Sequence, residues 1–454
     1  MPTSCKITHL LRTCGAAIPA EDCSAFDDAQ ATFLDSVLAG DLGGDAHRQA
    51  CIGVSAGGVG MRRAQDLRLL ASISSRVESR PQVARLFEQM AAGDTGLPGC
   101  IARYDAALTA DLAALLAPLG SSIAATVQSH VADARTSAEL RFSAMLQGRR
   151  PPGAAGPPVG DSHAGAHLLA EFGAEDLEHP TARSPRLQHA LTRIMEEANA
   201  ATLIREAQEQ HRPADALRLR DLADPSVSHE YLWLLGQAPT GGLSGDDYII
   251  DLRLRVGASQ VDDSRICGSC GRQRLDPQTR HAQCCAPGPA NAGHNNIRDA
   301  VFDLVHMADA NAETEVLGLL CTAPSLRPAD ILTSAVPGAP QHALDVSVAA
   351  PLAAHAGPDA CASAEKRKTD RYQQFLGGLR EDGIQYMPLV WSFWGREGEA
   401  AASTLVSVAR RAARRHGFAS SSGLLRRARC SLGLALAARR AAMVRACLAF
   451  PAAK

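Results

Sequence analysis

The chain contains 454 residues, which predicts two to four domains because a single hydrophobic core rarely serves so many residues. Hydrophobic residues make up 46% of the chain and aromatic residues only 4%, so its cores must be built mainly from alanine, leucine, valine and isoleucine, which favours helices. The formal net charge of −2 excludes a strongly basic or strongly acidic chain as a whole.

The amino terminus and the cysteines bear on the compartment. Residues 1–6 lack the basic-then-apolar layout of a signal peptide, and no uninterrupted apolar run approaches the roughly eighteen residues of a membrane span. The 13 cysteines, spread over a long chain without a secretion signal, are typical of reduced thiols, with any close cluster binding metal. We therefore expect a soluble protein of the nucleus or another intracellular compartment, without a membrane partner.

Helical periodicity dominates the first half of the chain. It predicts helical regions over residues 1–145 and 162–258. The proline and glycine residues of segment 146–161 oppose both helix and central strand, so this segment is interpreted as a linker. A glycine-rich stretch, residues 52–64, can form a phosphate-binding turn or a tight structural turn; the absence of a P-loop lysine and of dinucleotide fingerprint spacing favours the structural turn.

Residues 259–292 contain a cluster of possible metal ligands. Cys267 and Cys270 are separated by two residues, and His281 and Cys285 follow after a short loop. This spacing is that of a small zinc knuckle, in which three thiolates and one imidazole form a tetrahedral N/S shell. Cys284 is the rival fourth ligand, and a set of reduced surface cysteines is the alternative to a metal site. With four protein ligands, the zinc is predicted to be structural rather than catalytic.

Residues 293–400 are predicted to form a compact α/β domain. The first helix places His294 and Arg298 in or beside its first turn, which suits either a bound phosphate or a plain capped helix. The order of elements is helix, strand, strand, strand, helix, strand. The predicted elements are a helix from His294 to about Ala308 and segments 316–320, 327–332, 344–348, 362–379 and 384–391.

Two aspartates and a lysine stand out in this domain. The lysine is Lys368, which shares a helical stripe with Tyr372, Phe375 and Leu379 and is therefore expected to point toward the sheet, with Lys366 and Arg367 turned away. Asp345 interrupts the alternating apolar strand 344–348, where a carboxylate is costly unless it is paired or metal-bound. Asp330 follows Pro328 near the start of the preceding strand. Metal-dependent nucleases need two carboxylates that converge on a divalent cation, with a positive charge near the scissile phosphate. The interpretation without catalysis makes Asp330 a turn former and pairs Asp345 with a basic residue such as Arg327.

Residues 401–454 concentrate positive charge at the end of the chain. They contain no aspartate or glutamate, and their arginine pairs alternate with leucine and alanine. Such a pattern is typical of an amphipathic helix along a phosphate backbone, and also of a solvated helical face packed on the preceding domain. We predict a basic helical tail and leave both interpretations open. The lysines and arginines are Arg410, Arg411, Arg414, Arg415, Arg426, Arg427, Arg429, Arg439, Arg440, Arg445 and Lys454.

Taken in order, these pieces resemble the carboxyl-terminal, post-polymerase part of a non-LTR retrotransposon reverse transcriptase that carries a restriction-like endonuclease. The resemblance runs through the Gly57–Met61 turn, the Cys-x2-Cys and His-x3-Cys knuckle, the His-Asn helix, the RPAD and LDVSV motifs and the lysine-rich helix. It covers most of the chain beyond about residue 45 and is strongest from Cys267 to Trp394.

The resemblance implies a PD-(D/E)xK nuclease fold that nicks target DNA to prime reverse transcription, and a knuckle that contacts nucleic acid. Asp330 then matches the first acid and Asp345 the second, both as Mg²⁺ ligands with possible help from Glu315. Ser347 stands where many such nucleases carry lysine, and the retroelement branch takes a lysine from the next helix, here Lys368.

The sequence departs from this family at two points. Gly293 precedes His294 where the family commonly has arginine, and no Tyr-x-Asp-Asp polymerase signature is present. The expected partners are DNA, the element's RNA and a reverse transcriptase acting in trans. The alternatives are a catalytically inactive, zinc-containing nucleic-acid-binding module from a decayed retroelement, and a protein-interaction scaffold.

The predicted fold class is α+β and multidomain. It comprises the helical amino-terminal region, the small zinc knuckle of residues 259–292, the α/β restriction-endonuclease-like domain of residues 293–400, and the basic carboxyl-terminal helices.

Overall fold

The computed structural model is mostly helical with one four-stranded sheet, which confirms the predicted α+β class. Most of the predicted linker 146–161, and the start of the region predicted from residue 162, lie outside the residues that the structure describes. The chain divides into two compact units, of which unit 1 comprises Met1–Ser36, Ala50–Gly53 and Gly60–Thr202, and unit 2 comprises the rest. The described residues are 10–14, 17–91, 99–147, 187–233, 243–261, 265–320, 323, 326–352 and 358–449.

Unit 1 is built from helices around an aliphatic core. Leu70, Ile73 and Val77 are buried at helical spacing in this core, as their periodicity predicts. Asp27 accepts hydrogen bonds from the backbone N–H groups of Ala64 and Gln65, 2.6 and 3.2 Å away, and so caps a helix from outside that helix. The helices that fall wholly or largely in this unit are α1 (Ala20–Val37), α3 (Ala64–Ala91), α4 (Gly99–Leu116), α5 (Ser121–Leu146) and α6 (Leu187–Glu209).

Unit 2 contains the sheet and the remaining helices. Several of these helices have ends that the sequence specifies; Ser244 accepts from the Asp247 N–H at one helix start, and Gly257 ends that helix in the left-handed conformation. Among the described residues, no helix combines the length and the apolar character needed to cross a bilayer. The helices are α2 (Gly44–Ala50), α7 (Pro213–Leu222), α8 (Gly245–Val256), α9 (Pro287–Ala308), α10 (Ala360–Tyr372), α11 (Leu376–Glu381), α12 (Glu399–His416) and α13 (Ser422–Leu448).

The sheet has the order β1-β2-β3-β4, with antiparallel pairing between its first three strands and a parallel pairing of β3 with β4. The elements α9, β1, β2, β3, α10 and β4 follow in the predicted order, but β1 lies before the predicted segment 316–320 and the short helix α11 comes between α10 and β4. A connection through a helix is what a parallel pair requires. The strands are β1 (Glu313–Thr314), β2 (Ile331–Thr333), β3 (Gln341–Ala349) and β4 (Ile384–Ser392).

The predicted strand over residues 316–320 is wrong, because the first strand is two residues long and ends before Glu315. Glu315 and Gly318 have φ angles of 54° and 78°, which are incompatible with a continuing pleated strand. The second predicted strand, 327–332, is shorter than expected and begins after Asp330.

The two faces of β3 contribute to different cores, as its alternation predicts. Leu344 and Val346 pack with Ile297 of α9 and with α12 and α13. Ala343 points to the opposite face, where it packs with Tyr372 of α10. Asp345 shares the face of Ala343, because side chains two residues apart along a strand point the same way.

The segment predicted as a basic tail is part of the core of unit 2. Leu405 and Val408 of α12 and Leu432 and Leu436 of α13 pack in the same cluster as the sheet. Most arginines of these helices are exposed or half-buried, but Arg440 is buried and the Arg439 side chain packs against α9. This agrees with the interpretation of a helical face packed on the preceding domain.

The glycine-rich turn is held by the buried side chains of Arg255 and Gln49. Gly57 has a φ angle of 94°, which favours glycine. The carbonyl oxygens of Gly58 and Val54 accept hydrogen bonds from Arg255, both at 2.9 Å, and Gln49 donates to the Gly57 carbonyl at 3.0 Å. These contacts between carbonyl acceptors and positively charged or amide donors support the structural turn.

Candidate functional site

The two predicted acids lie side by side on neighbouring strands. Ile331 is opposite Leu344 in the antiparallel pairing of β2 with β3, and continuing that register places Asp330 opposite Asp345. Opposite residues of an antiparallel pair project from the same face of the sheet. The backbone agrees, because the Asp330 N–H donates to the Leu344 carbonyl at 2.9 Å. Each carboxylate also lies within the electrostatic range of the other.

Asp345 is 5% exposed and has a partner at each carboxylate oxygen. Lys368 Nζ donates to its Oδ1 and the Tyr386 hydroxyl donates to its Oδ2, both at 2.6 Å. Burial raises the pKa of Asp345 despite the opposing effects of Lys368 and of the hydrogen bond from Tyr386, and the charge of Asp330 raises it further. The same environment raises the pKa of the Tyr386 hydroxyl, through burial first and the Asp345 charge second.

Lys368 comes to the site from α10. The predicted single helix 362–379 is divided, because α10 ends at Tyr372 and a 3-10 turn over residues 373–375 leads into α11. Tyr372 of α10 and Leu379 of α11 are both buried under the sheet. Lys366 is turned away and pairs with Asp370 at 3.0 Å. The stripe predicted from the sequence therefore describes how this helix faces the sheet.

Asp330 combines a structural contact with an accessible oxygen. Its Oδ2 accepts a hydrogen bond from the Val346 N–H at 2.7 Å. The carboxylate thus takes the place of a backbone carbonyl oxygen beside β3, just before β2 begins. Its Oδ1 lies 3.5 Å from His294 Nε2. The prediction that His294 occupies the first turn of its helix is wrong, because α9 begins seven residues earlier at Pro287. His294 thus reaches the acids from within the helix.

Glu315 was predicted to help Asp330 and Asp345 to bind Mg²⁺, but its carboxylate has other partners. Its N–H donates to the Asp330 carbonyl at 3.0 Å, but its carboxylate pairs with Arg298 and with Arg327, the latter at 2.9 Å. Both carboxylate oxygens therefore bind guanidinium groups. Because Arg327 pairs with Glu315, it is not the partner of Asp345 that the interpretation without catalysis named.

Gly293 is explained by the packing of α9 on α13. A Cβ atom at this position would lie 2.3 Å from Cγ of Arg439. The side chain of Arg439 thus occupies the space beside the backbone of residue 293. Burial lowers the pKa of Arg439 to about 10, and its Nε has no hydrogen-bond partner among the described residues.

Sequence reasoning missed Tyr386. In the parallel pairing Tyr386 is opposite Ala343, so it lies on the same face as Asp345 and within reach of it. Its ring also packs against Tyr372 at a centroid distance of 5.0 Å. A signal was present in the alternation of the fourth strand, but only the register of that strand against β3 makes Tyr386 a neighbour of Asp345.

The four predicted zinc ligands come together. The ligand atoms of Cys267, Cys270, His281 and Cys285 all lie within 4.8 Å of one another. Sγ of Cys267 is 3.8 Å from Sγ of Cys285, and Sγ of Cys270 is 3.4 Å from Nε2 of His281. Zinc–sulfur bonds of about 2.3 Å and zinc–nitrogen bonds of about 2.0 Å give tetrahedral edges of about 3.8 and 3.5 Å. The donor set and its spacing fit a tetrahedral metal such as zinc.

The choice between Cys284 and Cys285 follows from the same geometry. Cys284 is exposed and lies outside the cluster, whereas Cys285 faces Cys267. Hydrogen bonds from the backbone N–H groups of Gln273 and Arg272 lower the pKa of the Cys270 thiol to about 6. A thiolate is the form that binds metal, so this loop favours ligation by Cys270.

The metal cluster is joined to the end of α13. The Gly268 N–H donates to the Cys447 carbonyl at 2.7 Å, and a Cβ atom at residue 268 would lie 1.8 Å from the Ala449 carbonyl oxygen. Only glycine allows this approach. Cys267 is buried in one apolar cluster with Val444 and Cys447. The metal ligands are therefore continuous with the core of unit 2.

Two arrangements in unit 2 can thus carry chemistry. The Cys3His cluster can hold a metal ion with no open coordination position, and the acid pair with its adjacent ammonium group can bind a cation and an anion side by side. No protein-family model, no curated protein and no solved structure matches this chain.

Proposed function

We propose that unit 2 contains a metal-dependent DNA endonuclease of the restriction-like, PD-(D/E)xK class, similar to that of non-LTR retrotransposon reverse transcriptases. The observation that carries the proposal is the convergence of Asp330 and Asp345 on one face of the sheet, with the Lys368 ammonium group 2.6 Å from Asp345. Two acids on facing strands, one of them in contact with a lysine, are the side chains that phosphodiester hydrolysis in this class requires.

Asp330 and Asp345 would hold a divalent cation, for which Mg²⁺ is the proposed ion. Carboxylate oxygens are the ligands that Mg²⁺ prefers, and the hydrogen bonds already present leave lone pairs on each oxygen. When bound, the cation supplies an activated water and offsets negative charge on the phosphate. Glu315 is not included, because both its oxygens bind arginines.

The side chains around the acids have separate roles. Lys368 would direct its ammonium group at a phosphate oxygen, where charge develops in the transition state. Tyr386 holds the Asp345 carboxylate from the other side, and the Val346 N–H fixes the Asp330 carboxylate. Such contacts restrict the orientation of both acids before substrate binds.

The substrate proposed is duplex DNA in the nucleus, nicked to provide a primer. The element's RNA and a reverse transcriptase acting in trans are the proposed partners. In this proposal the zinc of the Cys3His cluster is structural.

The test is the Asp345→Ala substitution in the full chain. We expect nicking of a supercoiled plasmid in Mg²⁺ to fall by more than roughly 100-fold, because loss of an outer-sphere contact already costs metal sites about 10–100-fold. The control is Asp303→Ala, which removes an exposed acid from α9. Equal nicking by the Asp345→Ala variant and the unaltered chain would contradict the proposal.

A second candidate function is a catalytically inactive nucleic-acid-binding module. The observation in its favour is that both acids already have protein partners, Asp330 a backbone N–H and Asp345 the Lys368 ammonium group. It predicts DNA binding by the unaltered chain without any nicking in Mg²⁺ or Mn²⁺.

A further inference from the structure

An open, positively charged cleft lies at the other end of β2 from the acid pair. It has a volume of about 810 Å³ and lies between the end of α9, the residue after β2 and the last turns of α12. Three arginines of α12 line it, namely Arg411, Arg414 and Arg415.

The arginines of the cleft differ in how they are held. Arg411 donates to the Ser334 carbonyl oxygen and, at 3.3 Å, to the Ser334 hydroxyl. Arg414 and Arg415 are exposed, and neither has an acidic partner in the part of the chain that the structure describes. By contrast, Arg429 and Arg445 of α13 pair with Glu397 and Asp247.

The acid in the cleft is already satisfied by other groups. Asp309 accepts from the Ser334 N–H at 2.7 Å, the Thr333 hydroxyl at 2.8 Å and the Asn311 N–H at 3.0 Å. These hydrogen bonds connect Asp309, just after α9, to Thr333 and Ser334 at the end of β2. Because Asp309 is bound in this way, it does not pair with the arginines, and the cleft keeps an excess of positive charge.

We propose that this cleft binds the phosphate backbone of nucleic acid next to the cleavage site, an inference that rests on the proposed nuclease function. Exposed guanidinium groups that converge on a concave surface are the usual contacts for phosphate oxygens. Asp330 and Ser334 are four residues apart along an extended strand, roughly 13 Å. One DNA strand advances about 3.4 Å per nucleotide, and the cleft opens beside α9 and α12, which pack on the other face of the sheet from Asp345. The cleft would therefore contact phosphates at least about four nucleotides from the cut.

The experiment measures binding of the full chain to a fluorescently labelled DNA duplex without added Mg²⁺, at salt concentrations from 50 to 200 mM. Each phosphate contact contributes about 0.9 to the slope of log affinity against log salt. We expect the Arg414→Gln/Arg415→Gln variant to lower this slope by about 2. Over that fourfold range of salt, the unaltered chain should lose about tenfold more affinity than the variant.

Arg410→Gln is the matched control. Arg410 is an exposed arginine of the same helix that does not line the cleft, so its replacement removes one positive charge of α12 outside the cleft. The control should keep the salt slope of the unaltered chain. Equal salt slopes for the double variant and for Arg410→Gln would overturn the proposal.

Peptide binding and nicking activity separate this proposal from an acidic protein partner and from failure of the proposed nuclease function. If a labelled glutamate-rich peptide loses affinity for the double variant while DNA does not, the cleft binds acidic protein and the proposal is wrong. Nicking activity is measured independently. If the unaltered chain nicks DNA but the double variant keeps its salt slope, only the proposed role of the cleft is overturned. If the double variant lowers the slope but the unaltered chain never nicks DNA, the cleft is supported and the proposed nuclease is overturned.

Discussion

At the scale of single residues, Asp345 has the most demanding environment in the candidate site. It is a carboxylate at 5% exposure, held by one ammonium group and one hydroxyl group. Burial nevertheless raises its pKa. A buried acid whose charged form is disfavoured costs folding free energy, and such costs are typical of functional positions.

This environment predicts a pH-dependent effect of Asp345→Asn. A pKa raised in the folded state means that the folded chain binds the proton more tightly than the unfolded chain, so the stability is present at low pH and lost as pH rises through the raised pKa. Asparagine cannot ionise. We therefore expect the Tm of the variant, relative to the unaltered chain, to increase between pH 4 and pH 7.

Thermal unfolding at several pH values without divalent cations measures this effect. For a unit of this size, about 1 kcal/mol corresponds to about 2–4 °C in Tm. The exposed Asp303→Asn change is the control and should show a constant difference in Tm. A Tm difference for Asp345→Asn that shrinks as pH rises would contradict the direction argued from burial.

At the scale of elements, the loop that carries the Cys3His cluster, residues 265–285, packs against α13. The loop contributes Cys267 and Leu275 to an apolar cluster that also contains Val444 and Cys447 of α13. Apart from this cluster, the loop has little secondary structure of its own, with one bridge between Ile266 and Arg274 and a short 3-10 turn. Metal binding is therefore expected to supply much of its folding free energy.

The substitutions Cys270→Ser and Cys284→Ser test which cysteines bind the metal. Cys270 is a ligand of the cluster, whereas the neighbouring Cys284 lies outside it. We expect the first variant to bind less than one equivalent of zinc after dialysis and to have a lower Tm. The second variant should keep one equivalent and the Tm of the unaltered chain.

Atomic emission measures the zinc content of each variant, and thermal unfolding measures its Tm. Removal of the metal from the unaltered chain with a chelator should reproduce the Tm of Cys270→Ser. Equal zinc loss in the two variants would mean that Cys284 is a ligand after all.

At the scale of the whole molecule, each unit has its own core. In unit 2 the last helix, α13, is hydrogen-bonded to α8 and to the segment after β4. Arg440 of α13 donates to Asp251 of α8 at 2.6 Å and to the Phe393 carbonyl after β4 at 3.0 Å. The Tyr231 hydroxyl also donates to Asp251, at 2.8 Å. This buried network holds three parts of the chain that are distant in sequence.

Arg440→Met is therefore expected to destabilise unit 2 by about 3–5 kcal/mol, because it leaves Asp251 buried without its counter-charge. The double variant Arg440→Met/Asp251→Leu removes both charges and should recover part of this loss. Denaturant unfolding of the three chains measures the difference. A double variant less stable than Arg440→Met would show that Asp251 stabilises the fold through other contacts.

The local elements were largely predictable, and the exceptions have physical causes. Alternation in residues 344–348 predicted β3 and its two faces, and the stripe through Lys368 and Tyr372 predicted how α10 meets the sheet, although the predicted helix is divided before Leu379. The apolar run 316–320 looked like a strand, but the positive φ angles at Glu315 and Gly318 turn the backbone away from the sheet. Backbone conformation of this kind is not visible in hydrophobic pattern.

The sequence by itself determined the mostly helical composition, the alternating strand that carries Asp345, and a four-ligand metal set, because these depend on spacing within one short segment. Only the tertiary structure decided between Cys284 and Cys285, placed Tyr386 and His294 beside the acids, and packed the arginine-rich helices into the core. Each of these outcomes depends on strand register or helix packing between residues far apart in the chain, and the free energy of such contacts has no local pattern in the sequence.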